Sequence, residues 1–70
     1  MKHITLRDAR KRRGLTQEQL ESESGVSQAV ISKLERGDVT DPASSTVLKL
    51  AKALRLDPRA LRFGQSEAVA

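Results

Sequence analysis

The sequence predicts an all-α domain of five short helices. Its apolar residues are mostly Leu, Ile, Val and Ala, with Phe63 as the single aromatic residue, whereas sheets are enriched in aromatic and β-branched residues. Capping residues, glycines and prolines divide the chain into five segments with apolar residues at helical spacing. The 70 residues can bury one small core but not two. We therefore expect one domain over residues 1–64 and a frayed tail over residues 65–70.

The first helix is predicted over residues 5–13. Thr5 is a candidate N-cap, and Gly14 follows as a stop signal. Four basic residues near the end of this segment complement the negative end of a helix dipole.

The second helix is predicted over residues 16–24, because it opens with a capping box. The Thr16 hydroxyl can accept a hydrogen bond from the amide of Gln19, and the Gln19 side chain can return to Thr16. Gly25 ends the helix, since glycine adopts a left-handed backbone without strain.

The third helix is predicted over residues 27–36, with Ser27 as its N-cap. Its apolar residues at helical spacing are Val30, Ile31 and Leu34. The other side carries Gln28, Ala29, Ser32, Lys33 and Arg36, so this face is not committed to a core. A loop follows, because Pro42 disfavours a helical backbone at Asp41.

The last two helices are predicted over residues 45–54 and 57–61. The fourth helix has the strongest periodicity in the chain, with apolar residues at i, i+3, i+4 and i+7. These residues are Val47, Leu50, Ala51 and Leu54. The fifth opens with Asp57 as N-cap and Pro58 at the first helical position.

Charge is distributed unevenly along the chain, whose net charge is +4. Residues 1–13 contain six basic residues and one acidic residue, and residues 49–62 contain five basic residues and one acidic residue. The middle, residues 14–48, contains six acidic residues and two basic ones. Two basic flanks therefore bracket an acidic middle, and the basic balance suggests a polyanionic partner.

Several classes of protein are disfavoured by what the sequence lacks. With no cysteine and a single histidine, His3, it cannot assemble a His/Cys metal cluster. It has no glycine-rich phosphate loop and no paired catalytic residues, so we expect neither an enzyme nor a cofactor. No apolar run is long enough for a membrane span or a signal peptide, which makes the cytoplasm the expected location.

Helices two and three together have the sequence form of a helix-turn-helix. They are short, a glycine turn joins them, and their apolar residues are spaced as Leu20, Val26, Ile31 and Leu34. Through LTQEQL (residues 15–20), SGVSQ (24–28) and ISKLERG (31–37), the chain resembles the phage-repressor (Xre-like) helix-turn-helix family. The resemblance implies a compact five-helix bundle of the lambda-repressor-like DNA-binding type. It also implies a nucleoid-associated protein of prokaryotic or phage type.

In such a protein the third helix enters the DNA major groove, and its free face supplies side chains that match base edges. The candidate base-reading residues are Gln28, Ala29, Ser32 and Lys33. Gln28 can bind adenine through two hydrogen bonds, Lys33 can donate to guanine, and the Ala29 methyl can pack on a thymine methyl. The alternatives are a plain solvated surface for Gln28 and Ser32 and a phosphate contact for Lys33.

The resemblance also implies residues that contact phosphate and one structural ion pair. The phosphate-contacting residues are Thr16, Gln17, Ser27 and Arg36. Arg10 and Glu35 form the ion pair, which braces helix one against helix three. The basic residues Arg7, Lys11, Arg12 and Arg13 either steer DNA or serve the helix dipole and solubility.

A homodimer on a palindromic operator is the assembly that the resemblance implies. Candidate interface residues are Leu56, Leu61 and Phe63. Phe63 is equally suited to closing the end of the core.

Together these features predict a sequence-specific regulator of transcription, acting as a repressor on double-stranded DNA. The alternative is an antitoxin whose main partner is a toxin protein, with DNA binding in a secondary role. The chain departs from the family pattern at Glu21, at Ala9, at Ser44 and in a loop after helix three that is about one residue longer than usual. Where Glu21 stands, a small residue is usual, so either helices two and three stand apart or the Glu21 stem packs while its carboxylate reaches solvent or a cation. Val39 would fill a gap left by the longer loop after helix three.

Overall fold

Four α-helices and one pair of short strands make up residues 3–63, the part of the chain that this computed structural model describes. The helices are α1 (Leu6–Arg12), α2 (Gln17–Ser24), α3 (Gln28–Arg36) and α4 (Ser44–Leu54). A 3-10 turn follows at Pro58–Ala60, and the strands are β1 (Ile4–Thr5) and β2 (Leu61–Arg62). The tail predicted over residues 65–70 lies outside the described residues.

The predicted end signals of the first three helices are confirmed. The Thr5 hydroxyl accepts the Asp8 N–H at 3.1 Å, and both hydrogen bonds of the Thr16–Gln19 capping box form, at 3.0 and 2.8 Å. Gly25, which ends α2, has φ +80°. Because a left-handed backbone strains residues with a Cβ, glycine at this position sets the tight turn between α2 and α3.

The predicted fifth helix is wrong. The Asp57 carboxylate caps the segment by accepting the Arg59 N–H at 2.8 Å, but helical geometry lasts only from Pro58 to Ala60. The chain then extends, and Leu61 pairs in parallel with Ile4. The described fold is therefore mostly helical with four α-helices, and it carries a small strand pair that the all-α prediction did not include.

The fourth helix begins and ends without the usual capping residues. It starts one residue earlier than predicted, and its N-cap, Ala43, provides no side-chain hydrogen bond. It ends at Arg55, whose φ is +59°; Arg55 is the one described residue other than glycine with a positive φ. A left-handed backbone costs a residue with a Cβ about 1–2 kcal/mol.

The core lies between the helices and is closed by the strand pair. Five side chains are completely enclosed: Leu6, Leu20, Ile31, Leu34 and Leu50. Two valines that the sequence predicts to face the core, Val30 and Val39, are each 39% exposed and do not belong to the buried core. Val39 therefore does not fill a gap in the core. None of the helices described is long and apolar enough to cross a membrane.

Arg13 ties three helices together. Its guanidinium Nη1 donates to the carbonyl oxygen of Ala53 in α4 at 2.6 Å and to Oε1 of Glu23 in α2 at 2.9 Å. The residue follows α1 directly, so one side chain connects the end of α1 to both neighbours. The sequence pattern predicts only DNA steering, the helix dipole or solubility for Arg13, so it misses this contact between helices.

Candidate nucleic-acid interface

The third helix has one buried face and one polar face. Ile31 and Leu34 are completely buried and fix the helix to the core. The opposite side carries Gln28, Ala29, Ser32, Lys33 and Arg36. Ala29, Lys33 and Arg36 are exposed, while Gln28 and Ser32 are half-buried. All four candidate base-reading residues thus lie along one accessible surface.

Arg36 lies at the C-terminal end of this polar face and contacts two neighbouring side chains. Its Nη1 donates to Oγ of Ser32 at 2.6 Å, and its Nε and Nη2 donate to Oδ2 of Asp38 at 3.0 and 2.8 Å. The side chains of Arg36 and Asp38 are 57% and 55% exposed. An ion pair this exposed contributes little stability, so Arg36 can exchange Asp38 for another anion at small cost.

Thr16 and Ser27 are the N-caps of α2 and α3. The predicted phosphate contacts require both residues at these helix N-termini. Each hydroxyl oxygen accepts a hydrogen bond from its own helix, at 3.0 Å for Thr16 and 3.3 Å for Ser27. The hydroxyl proton stays available for donation. The first backbone N–H groups of a helix also lack partners within it, which favours an anion at this end.

A hydrogen-bonded cluster beneath this surface joins α1, α2 and α3. Arg10 contacts Glu35 through two hydrogen bonds, Nε to Oε2 at 2.6 Å and Nη2 to Oε1 at 3.0 Å. Gln17 Nε2 donates to the same Oε1 at 3.0 Å, and Arg10 Nη1 donates to the carbonyl oxygen of Leu15 at 2.8 Å. The cluster therefore fixes the start of α2 against α3.

The Glu35 carboxylate keeps its charge despite its burial. Its side chain is 4% exposed and that of Arg10 is 11% exposed. Burial raises the pKa of Glu35, but the hydrogen bonds from Arg10 and Gln17 together with the charge of Arg10 outweigh burial and hold this pKa below its usual value. The hydrogen bond to Glu35 raises the pKa of Arg10 in turn.

Sequence reasoning missed the hydrogen bond between Gln17 and Glu35. It assigned Gln17 to a phosphate contact, whereas one N–H of the Gln17 amide donates to the Glu35 carboxylate. It also missed the contact between Ser32 and Arg36, although these residues are four apart on one helix and the spacing could have indicated it. Glu21 is exposed, so its carboxylate lies in solvent.

The predicted interface residues differ in accessibility. Leu61 is 6% exposed and belongs to the core, so it offers little area to a partner. Leu56 and Phe63 are half-buried against that core. The most exposed large apolar side chain described is that of Leu48, at 57%. It borders an open groove of about 320 Å³ together with Pro42, Val47 and Pro58.

Among residues 3–63, no group of three His, Asp or Glu side chains is placed to hold a metal ion.

Comparison with known proteins places most of the chain in one family. A model of the helix-turn-helix family matches residues 6–61. The chain is 43% identical over 58 residues to the HTH-type transcriptional repressor RghR of Bacillus subtilis. The aligned region covers 83% of this chain and 43% of that protein. It is 49% identical over 45 residues to the uncharacterized HTH-type transcriptional regulator y4dJ of Sinorhizobium fredii, covering 64% of this chain and 57% of that protein. The chain thus spans less than two thirds of the length of these relatives.

A solved structure shares both fold and sequence with the chain. The restriction-modification controller protein C.AhdI from Aeromonas hydrophila superposes with a TM-score of 0.73 at 38% identity. The match covers 79% of this chain and 82% of that one.

Proposed function

Because the chain belongs to the phage-repressor (Xre-like) helix-turn-helix family, we propose that it is a regulator that binds double-stranded DNA sequence-specifically and represses by occupying an operator. The observation that carries this proposal is the division of α3 into a face buried through Ile31 and Leu34 and an accessible polar face. A helix held this way can enter the major groove without disturbing the core. The names of the relatives, a transcriptional repressor and a controller protein, support the same conclusion.

Base recognition is assigned to the accessible face of α3. Gln28 is suited to adenine through its amide, Lys33 to guanine, and Ala29 to a thymine methyl. Ser32 can donate its hydroxyl proton to a base edge while its oxygen accepts from Arg36. These contacts select sequence, whereas phosphate contacts position the protein.

Phosphate contacts are assigned to the starts of α2 and α3 and to Arg36. Thr16 and Ser27 offer hydroxyl protons beside free backbone N–H groups, and Gln17 has one amide N–H left after donating to Glu35. The buried cluster around Glu35 fixes the start of α2 against the last turn of α3. We assign this DNA-binding unit to residues 1–64.

We also propose that the protein acts as a homodimer on a palindromic operator. A two-fold dimer presents the same patch from each copy, so the patch has to complement itself. The groove at Leu48 provides exposed apolar area of the kind that such contacts use. Half-sites would then lie one helical turn apart, or about 34 Å.

The test is selection of bound duplexes from a random DNA pool at near-physiological salt, followed by sequencing. Enrichment of a palindrome with half-sites about 10 base pairs apart is the expected result. Retention that depends only on salt, with no enriched sequence, would contradict the proposal and turn attention to a protein partner, such as the toxin of an antitoxin pair.

A further inference from the structure

Two adjoining clefts lie away from α3, beside the last turns of α4. The larger, of about 470 Å³, opens between the end of α2 and α4, and the smaller, of about 270 Å³, opens toward the end of α1. Arg13 and Arg55 line both clefts. The basic residues that line one or both are Arg12, Arg13, Lys49, Lys52 and Arg55. Glu23 is the one acidic residue among the described residues that line them.

The clefts are where the two basic flanks of the sequence meet. Arg12 and Arg13 come from the first flank, and Lys49, Lys52 and Arg55 come from the second. Glu23 is already paired with Arg13. Within residues 3–63, the side chains of Arg12, Lys49, Lys52 and Arg55 form no ion pair. The positive charges of these side chains repel one another, and a bound anion would reduce that repulsion.

The backbone of Arg55 supports a role for its side chain. Its φ of +59° is the left-handed conformation that glycine adopts with less strain at the end of a helix. The chain nevertheless has an arginine there, and the side chain of that arginine lines both clefts. Strained backbone of this kind clusters at ligand-binding sites.

The lining favours one class of anion. A guanidinium matches phosphate oxygens through paired hydrogen bonds, and an ammonium adds a mobile point charge. No aromatic side chain is among the described lining residues, so stacking of a base has no support. An acidic peptide carries one charge per residue, whereas a terminal phosphate group carries about 1.5 to 2 charges and each phosphate linked to it adds about one more in a smaller volume. Several charges in so small a space therefore favour linked phosphates.

We propose that these clefts bind a compact anion with two or more linked phosphate groups, at a site separate from the DNA-reading face of α3. A free oligophosphate and the phosphate tail of a nucleotide share this chemistry. No residue of α3 lines either cleft. An absence of phosphate binding at the clefts would therefore leave the proposed DNA binding through α3 untouched.

The test is calorimetric titration of the full chain with sodium tripolyphosphate at low salt. Saturable binding is expected, and Lys49→Gln combined with Lys52→Gln should weaken it about tenfold or more, because charged hydrogen bonds are lost. Arg7→Gln combined with Lys11→Gln removes the same charge from outside the clefts and should leave the affinity within about twofold. Equal weakening by the two pairs, or no saturable binding by the natural chain, would overturn the proposal.

A further variant separates binding from folding. Arg55→Gly should raise the midpoint of thermal unfolding, since the strain is removed, while it weakens tripolyphosphate binding several-fold. A stabilised Arg55→Gly protein with unchanged affinity would contradict a role for Arg55.

Two more ligands identify the source of the phosphates. ATP that binds as tightly as tripolyphosphate indicates a free oligophosphate, and ATP that binds much more tightly indicates a nucleotide; both results support the site. An oligoglutamate peptide that binds more tightly than either would overturn the phosphate assignment in favour of an acidic protein segment.

Discussion

Gln28 lies at the start of α3, half-buried at the edge of the accessible face. Gln28→Ala should cost about 1–3 kcal/mol of binding free energy on the preferred operator and relax the preference at one base position. The measurement is titration of the operator and its single-base variants with the natural and altered proteins.

Gln17→Ala is the matched control for Gln28→Ala, because it removes the same amide from a residue assigned to phosphate. It should weaken binding to all sequences alike. If both variants lost equal affinity on operator and random DNA, the assignment of base contact to Gln28 would be wrong.

Glu35 should make stability depend on pH in acid. Its pKa is lower in the folded chain than in the unfolded one, so its contribution is full above the unfolded value of about 4.3 and is lost as pH falls through the folded value. Glu35→Gln should lower the free energy of unfolding by about 2–3 kcal/mol at neutral pH, since Arg10 is left buried without its partner. The same variant should flatten the decline in stability below about pH 4.

Urea unfolding of both proteins at several pH values measures this effect. Glu21→Gln is the control, because Glu21 is exposed and its side chain accepts no hydrogen bond from another described residue. An acid decline as steep in Glu35→Gln as in the natural chain would show that Glu35 does not govern it.

The contacts of single residues were predictable to different degrees. The approach of Arg10 to Glu35 was expected from the family resemblance and not from spacing, because the two are 25 residues apart. The Gln17 contact to Glu35 depends on how α2 lies against α3, which no local pattern encodes.

Among the elements, the helices with clear local signals were predicted well. Caps for α1 to α3 and periodicity for α4 place these helices within one residue of their observed ends. The segment after α4 carries the same kind of signal, Asp57 before Pro58, yet it makes only a 3-10 turn. Pairing of Leu61 with Ile4 requires extended backbone there, and this distant contact overrides the local preference.

The weak start of α4 gives a prediction for that element. Ala43 has the extended backbone of an N-cap, with φ −60° and ψ 150°, but no side-chain oxygen to accept a hydrogen bond. Ala43→Ser should therefore stabilise the fold by about 1 kcal/mol. Thermal unfolding measures the change, and Thr16→Ala, which removes an existing cap from α2, should change stability by about the same amount in the opposite direction. A destabilised Ala43→Ser protein would contradict this account of the α4 terminus.

For the whole molecule, the exposed Leu48 side chain gives a test of assembly. Leu48→Glu should raise the dissociation constant of the proposed dimer about tenfold or more, because a leucine that the dimer contact would bury is replaced by a charge. Sedimentation velocity over a range of concentrations measures this constant. Val39→Glu is the control, since Val39 is 39% exposed and does not line the groove. Equal effects of the two variants would exclude the groove as the contact.

The parallel pairing of Ile4 with Leu61 also bears on how the domain forms and persists. Contacts between α2 and α3 close short loops, whereas this pairing closes a loop that contains nearly every described residue, and its entropic cost is correspondingly the largest. We expect this pairing to form after the main folding barrier, because the short loops between the helices close first at lower entropic cost. The strand pair then acts mainly on the lifetime of the native state, by slowing unfolding, and has little influence on the speed of folding.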